Sequence, residues 1–228
     1  MRVVADVIPV FPLTHVLVPG MPLPLHIFEE RYRQLLVDVT SGPGTAAFGI
    51  VALRTGAEAN TPGTIVTEPD IADLGTLAEI LEVEPYEDGA SDLLTVGSRR
   101  FRILELVHEG APYLRAEVEW LEERDGELRP GHVVVTQRLC DDLEQVLQAL
   151  TGREREDKLP DDANLLSYYV AAHAPLMPAD RQALLAEPTA ADRLRRAIAL
   201  LRREIRLVQS TRSIAISPSV LRLIVEPN

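Results

Sequence analysis

The chain has 228 residues, of which 46% are hydrophobic and 25% charged. That composition suits a folded protein with a real core and excludes disorder over the whole length. The formal net charge of −12 argues against a general binder of phosphate backbones.

Charge is unevenly distributed along the chain. Residues 1–123 hold 8 arginines and 20 acids, whereas residues 124–228 hold 15 basic and 15 acidic residues. The shift predicts a boundary near residue 124. We therefore expect a first domain over 1–123, a second over 124–209, and a tail over 210–228.

Residues 7–28 carry no formal charge, and a stretch of this length could span a bilayer. Five prolines interrupt it: Pro9, Pro12, Pro19, Pro22 and Pro24. Each interior proline costs a helix about 3 kcal/mol, so a spanning helix is disfavoured. A signal peptide is disfavoured too, because Asp6 and the prolines spoil its start. We expect a cytoplasmic protein without membrane contact.

The first 122 residues have the pattern of a mostly β structure. The proline-punctuated apolar runs 8–13 and 23–28 predict edge strands. Residues 29–39 predict a helix, because apolar side chains recur there at helical spacing. The members of this stripe are Tyr32, Leu35, Leu36 and Val39. The apolar run 46–53 predicts a strand that is buried on both faces.

Two hairpins are predicted next. Segments 77–85 and 93–97 flank a turn built on Asp88-Gly89, and segments 102–107 and 113–121 flank a second loop. Strands at this spacing, with a single early helix, predict a small closed or half-closed barrel.

From about residue 131 the apolar period becomes helical. A stripe of six residues predicts a helix that ends at Gly152: Val135, Leu139, Leu143, Val146, Leu147 and Leu150. Asp161 is predicted to cap a second helix reaching 173, and Pro178 to open a third reaching 186.

Thr189 and Asp192 predict a capping box for a fourth helix that runs to about residue 209. Its arginines are expected on the outer face, where solvent or an acidic partner would meet them. These are Arg193, Arg195, Arg196, Arg202, Arg203 and Arg206.

Most catalytic motifs are missing from the sequence. It contains no phosphate-binding G-x-x-x-x-G-K-[ST] loop, no G-x-S-x-G elbow and no zinc-type histidine spacing. The single cysteine, Cys140, excludes an internal disulfide and is expected to be a buried, inert thiol. The single lysine, Lys158, stands beside two acids, which disfavours a catalytic role. We expect no catalytic residue, no metal and no cofactor.

Residues 8–28 read IPVFPLTHVLVPGMPLPLHIF and are followed by EERY. This stretch resembles the signature of the Lon protease amino-terminal (substrate-binding) domain family. Three later motifs agree in order: FGIV at 48–51, GTLAEI at 75–80 and GSRRFRI at 97–103. The carboxyl-terminal helices also resemble the bundle that follows the barrel in this family.

The resemblance implies an α+β fold, a PUA-like β pseudo-barrel with one early helix followed by an α-helical bundle. It also implies binding of unfolded or degron-bearing polypeptide. Because no ATPase or Ser-Lys peptidase motif is found, we expect a stand-alone, non-enzymatic form. Such a form would act in protein quality control as an adaptor or regulator, with polypeptides or a protease or chaperone as partners.

Two alternatives remain open at this stage. One is a peptidase or hydrolase with an unrecognised site. The other is an RNA reader, since PUA-like barrels elsewhere bind RNA, although the acidic first half counts against nucleic acid.

The candidate peptide-binding site is the proline-rich segment 11–25. It has more apolar side chains than two short strands can easily bury, and its prolines deny backbone donors. Met21 on its loop is an adaptable thioether of the kind that promiscuous surfaces use. The alternative is that the segment only covers the barrel core. The predicted contact residues are Phe11, Leu13, Val18, Pro19, Met21, Pro22 and Leu23.

Overall fold

Six strands and one helix precede four further helices in the part of the chain that the computed structural model describes, residues 6–54, 71–152, 155 and 158–211. The strands are β1 Asp6–Leu13, β2 Pro22–Ile27, β3 Ala47–Leu53, β4 Ile71–Pro85, β5 Ser91–Val107 and β6 Arg115–Trp120. The helices are α1 Glu30–Ser41, α2 Pro130–Thr151, α3 Ala163–His173, α4 Pro178–Ala186 and α5 Ala190–Thr211. The chain divides into two compact units, residues 1–122 and 123–228. Residues 212–228 of the predicted tail lie outside the described residues.

The strands of the first unit form one mixed sheet that closes on itself. Their order is β2-β5-β4-β3-β1-β6, and β6 pairs again with β5. The β1–β3 pair is parallel, and the other pairs are antiparallel. A closed β ring with one early helix, followed along the chain by a helical bundle, confirms the predicted α+β fold.

Strand β1 is not the edge strand that its prolines predicted. It pairs with β6 through residues 6–9 and with β3 through residues 10–13. Each half of the strand therefore has one principal neighbour. Pro9 and Pro12 are tolerated because a strand position without a ladder bond on one side does not need its N–H.

Strand β5 is one continuous strand of 17 residues, not the two segments predicted from the sequence. It pairs with β2 near its start and with β6 near its end. Gly97 lies inside this strand without interrupting it, because the missing side chain is required for close packing there. A Cβ on Gly97 would lie 2.3 Å from the carbonyl oxygen of Val18, so glycine here allows two backbones to approach.

The core of the first unit confirms the helical stripe of α1 and the buried strand β3. Tyr32 and Leu35 pack into a cluster with Phe48. A second cluster contains Phe101. A Cβ on Gly75 would lie 2.5 Å from the ring of Phe101. Glycine in the GTLAEI motif thus makes room for the aromatic ring of the GSRRFRI motif.

In the second unit, α4 begins at Pro178 as predicted, and the N-cap bond of the predicted box is present at the start of α5. The backbone N–H of Asp192 donates to Oγ1 of Thr189 over 3.1 Å. The cap of α3 is Asp162, which accepts from the N–H of Leu165 over 2.9 Å, so the prediction of Asp161 was wrong by one residue.

The buried face of α2 is shifted from the predicted stripe. Its buried residues are Thr136, Cys140 and Leu143, whereas Leu150 is exposed. Thr136 can be buried because its hydroxyl donates to the carbonyl oxygen of His132 over 2.8 Å, which satisfies the polar group inside the helix itself.

Arg193 does not lie on the outer face of α5, so that prediction was wrong. It is 0% exposed and pairs with Glu123 across 2.8 Å. It also donates to the side chains of Asn164 and Ser167 and packs 4.2 Å from the ring centre of Tyr168. These partners offset the cost of burying a guanidinium. The exposed arginines on the same helix include Arg195 and Arg196.

None of the helices that the structure describes combines the length and the hydropathy of a membrane span.

Candidate functional site

Strand β2 alternates between a buried and an exposed face. Leu23 and Ile27 point into the core, whereas the even-numbered residues point outward. The neighbouring strand β5 alternates in register, so that its half-exposed residues stand beside the outward residues of β2. We name the resulting surface the proline face. Its residues are Pro22, Pro24, His26, Phe28, Tyr86, Asp92, Leu94 and Val96.

Pairing across the two strands places apolar residues together on the proline face. Pro22 lies opposite Val96, and Pro24 lies opposite Leu94. Beyond them the ring of Phe28 lies 5.9 Å from the ring of His26 and is 56% exposed. An apolar and aromatic surface of this kind, set among polar residues, is typical of a protein contact site.

Asp92 organises the polar end of the proline face. Its Oδ1 lies 2.6 Å from Nδ1 of His26, and its Oδ2 accepts from the hydroxyl of Tyr86 over 2.7 Å. The bond from His26, and then that from Tyr86, hold the pKa of Asp92 below its ordinary value. The hydrogen bond between Tyr86 and Asp92 also raises the pKa of Tyr86. The carboxylate therefore orients two exposed rings, whose centres are 6.1 Å apart.

The loop before β2 is tied to β5 by backbone bonds. The N–H of Gly20 donates to the oxygen of Gly97 over 2.8 Å, and the N–H of Gly97 donates to the oxygen of Met21 over 3.0 Å. Gly20 has a φ of 80°, which favours glycine at this turn. The loop thus fixes where β2 begins and which of its side chains point outward.

The structure separates the seven predicted contact residues by depth. Phe11, Val18 and Leu23 are buried core residues. Leu13, Pro19 and Met21 are half-buried, and Leu13 and Met21 pack against the core cluster. Pro22 is exposed on the proline face.

Sequence reasoning missed most of the proline face. The alternating pattern PLPLHI could have placed Pro24 and His26 on the same side as Pro22. Nothing local, however, relates β2 to Tyr86 and Leu94, which lie about 60 to 70 residues further along.

A separate cavity of about 230 Å³ lies near the end of β1. Two polar side chains of its wall are engaged with neighbours. Arg31 pairs with Glu29 at 2.8 Å, and the hydroxyl of Tyr113 donates to Asp38 over 2.6 Å. Burial, and then this bond, raise the pKa of Tyr113 to about 12. The lining residues are Pro12, Arg31, Tyr32, Val107, His108, Ala111, Pro112, Tyr113 and Leu114.

The nucleophile candidates are poorly placed for catalysis. Cys140 is buried, as predicted, and burial raises the pKa of its thiol to about 12, which disfavours the nucleophilic thiolate. Lys158 is exposed, with its ammonium 3.5 Å from Asp161. No group of three or more metal-ligating side chains occurs among the described residues.

Comparison with known proteins decides the family. The model of the ATP-dependent protease La (LON) substrate-binding domain matches residues 7–203. The chain belongs to this family. The match confirms the resemblance seen in the sequence motifs, and no ATPase or protease domain is detected in the chain.

Curated relatives of this family member include Lon protease 1 of Myxococcus xanthus, which is 28% identical over 91% of the chain. The Lon protease of Escherichia coli strain K12 is 29% identical over 89% of the chain. The chain spans about a quarter of the length of each of these relatives.

Two solved structures are similar to this Lon-family chain. A Lon N-terminal domain protein from Xanthomonas campestris is 28% identical, with a TM-score of 0.63, and the match covers 85% of this chain and 98% of that one. The N-terminal domain of a Mycobacterium avium complex Lon protease is 20% identical with a TM-score of 0.64 and covers 86% and 98%. The second likeness shows the fold alone.

Proposed function

We propose that this chain is a non-enzymatic module that binds unfolded or degron-bearing polypeptide on its proline face, as an adaptor or regulator in protein quality control. The observation that carries the proposal is the exposed apolar and aromatic surface on β2 and β5 in a chain of the Lon substrate-binding family. The family name describes substrate binding, and the proline face offers a surface for it.

The chemistry of the proline face suits weak, sequence-tolerant contact. Pro22 and Pro24 are rigid, so covering them with a partner costs little conformational entropy. Phe28 offers a large apolar ring, and burial of such a side chain contributes about 1.5–3 kcal/mol. Few such contacts give modest affinity, which suits a module that must release many different substrates.

The predicted contact residues take two roles in this proposal. Pro22 is a direct contact, and the half-buried Leu13, Pro19 and Met21 border it. The buried residues, such as Leu23, support the face from below. Polypeptide is favoured over RNA as the ligand because the first 123 residues carry an excess of twelve acids.

The test compares two exposed apolar residues of the first unit. Phe28 lies on the proline face, whereas Val37 lies on α1, and their exposures are 56% and 55%. We expect Phe28→Asp to weaken binding of a labelled, reduced and carboxymethylated protein by about tenfold or more, as measured by fluorescence anisotropy. Val37→Asp should change it by less than about twofold.

Equal effects of the two variants, or no binding by the unmodified chain, would overturn the proposal. The same preparations should neither hydrolyse ATP nor cleave the labelled protein with time. Cleavage proportional to the concentration of the chain would support a peptidase instead.

A further inference from the structure

Strand β4 extends beyond its neighbour β3. The last register pair between them joins Ala47 to Glu79, and the N–H of Ile80 donates to the oxygen of Ala46 over 2.9 Å. From there to Pro85, β4 pairs with β5 on one side only. Within the described residues, positions 81–85 therefore form an open strand edge, which we name the β4 edge.

The direction of the backbone groups follows from the hairpin turn. The N–H of Tyr86 donates to the oxygen of Ala90, so Tyr86 faces β5. Because strand residues alternate, the N–H groups of Glu84 and Glu82 share that direction, and the N–H and C=O of Val83 face the open side. The β4 edge thus presents backbone groups ready to pair with another strand.

The opposite edge of the same sheet region is closed to such pairing. The N–H of Gly97 donates to the oxygen of Met21, so Met21 faces β5 and the even-numbered residues of β2 face outward. Pro22 and Pro24 stand at those outward positions and have no N–H to donate. Prolines of this kind are how natural sheets block an edge. On the β4 edge Pro85 also stands at an outward position and has no N–H, so the outward N–H of this edge is that of Val83.

The side chains of the β4 edge combine apolar and acidic character. Leu81 is 58% exposed and Val83 is 42% exposed. The register with β5 shifts between Ile80 and Glu82, so regular alternation begins at Glu82 and places Val83 between the two acids Glu82 and Glu84. Glu82 pairs with Leu94 of β5, which in turn pairs with Pro24 of β2. The acids of the β4 edge therefore lie on the same side of the sheet as the proline face. Residues 79–92 hold six acids and no basic residue.

The negative charge of the β4 edge determines which kind of strand can pair with it. A second copy paired on the β4 edge would bring Glu82 and Glu84 close to their own counterparts, and like charges across strands are destabilising. A segment with lysine or arginine at alternate positions would pair with them. The apolar residue between two such basic residues would then lie beside Val83.

We propose that the β4 edge binds an extended polypeptide segment of alternating apolar and basic residues by strand addition. This inference rests on the proposed function and names the substrate class. The bound segment hydrogen-bonds to the backbone of Val83 and places its basic side chains over Glu82 and Glu84. Its remaining length crosses onto the proline face.

The affinity test uses two short labelled peptides, one alternating valine and lysine, the other alternating valine and glutamate. The full chain should bind the lysine peptide about tenfold more tightly. The double variant Glu82→Lys/Glu84→Lys should reverse this preference. The double variant should fold, because both side chains are exposed. Glu84 also lies opposite Asp92 on β5, and Glu84→Lys removes this like-charge pair.

A second readout tests strand addition itself. In amide hydrogen exchange followed by NMR, the lysine peptide should slow exchange of the Val83 N–H at least about tenfold and leave the Glu84 N–H, already bonded to β5, unchanged. Absence of peptide preference, or no protection of Val83, would overturn the inference. The proposed function is tested separately. If the chain still binds the labelled, carboxymethylated protein and Phe28→Asp still weakens that binding, the proposed function stands even when the inference of strand addition fails.

Discussion

Two polar clusters in this chain are each built around one charged side chain, and they differ in burial. Arg193 in the second unit is fully buried and bonded to Glu123, Asn164 and Ser167. Asp92 in the first unit is 46% exposed and bonded to His26 and Tyr86. The same kind of network therefore stabilises a fold where water is excluded and only orients a surface where water remains.

The largest effect is expected from Arg193→Ala. It removes the buried cation and its hydrogen bonds, and it should lower the free energy of unfolding by about 3 kcal/mol. Urea-induced unfolding of the full chain measures this. The matched control is Arg196→Ala on the same helix, whose half-exposed pair with Glu187 is worth less than about 1 kcal/mol. Equal losses in the two variants would contradict the contrast between buried and exposed clusters.

Met21→Asp tests the boundary between supporting core and contact surface. Met21 is half-buried against the core cluster, so a carboxylate there should lower the free energy of unfolding by about 1–2 kcal/mol and also weaken polypeptide binding. Phe28→Asp, at an exposed position, should weaken binding with little loss of stability. A Met21→Asp variant with unchanged stability and affinity would remove Met21 from both roles.

The smallest effect concerns the pH dependence of the exposed cluster. The pKa of Asp92 is lowered in the folded chain, so its bonds should be complete above the ordinary value of about 4 and be lost only as pH falls through the lowered pKa. The pKa of Tyr86 is raised, so its bond should persist until pH rises through that raised value.

Titration of the Asp92 carboxyl and the Tyr86 ring by NMR checks both directions. The variant Asp92→Asn should return the pKa of Tyr86 toward 10, because the accepting carboxylate is gone. A Tyr86 titration that is unmoved by this variant would show that the bond does not hold the ring.

Local patterns of the sequence predicted several elements correctly. Helical spacing located α1, a proline at the first turn located α4, and the Thr189–Asp192 box located the start of α5. The Asp88-Gly89 turn located the β4–β5 hairpin, with Gly89 at a φ of 83°. Each of these signals acts within a few residues, so the sequence alone carries it.

The sequence by itself also determined the family, because its glycine and aromatic motifs record where chains must pack closely, as Gly97 does against Val18. Only the tertiary structure decided that β1 lies inside the sheet, that Arg193 is buried, and that the proline face joins β2 to β5. Each of these depends on a partner far along the chain. Arg193 meets Glu123 from 70 residues away, and His26 meets Asp92 from 66. Burial and pairing over such distances follow from the whole packed fold, which no local period or cap can encode.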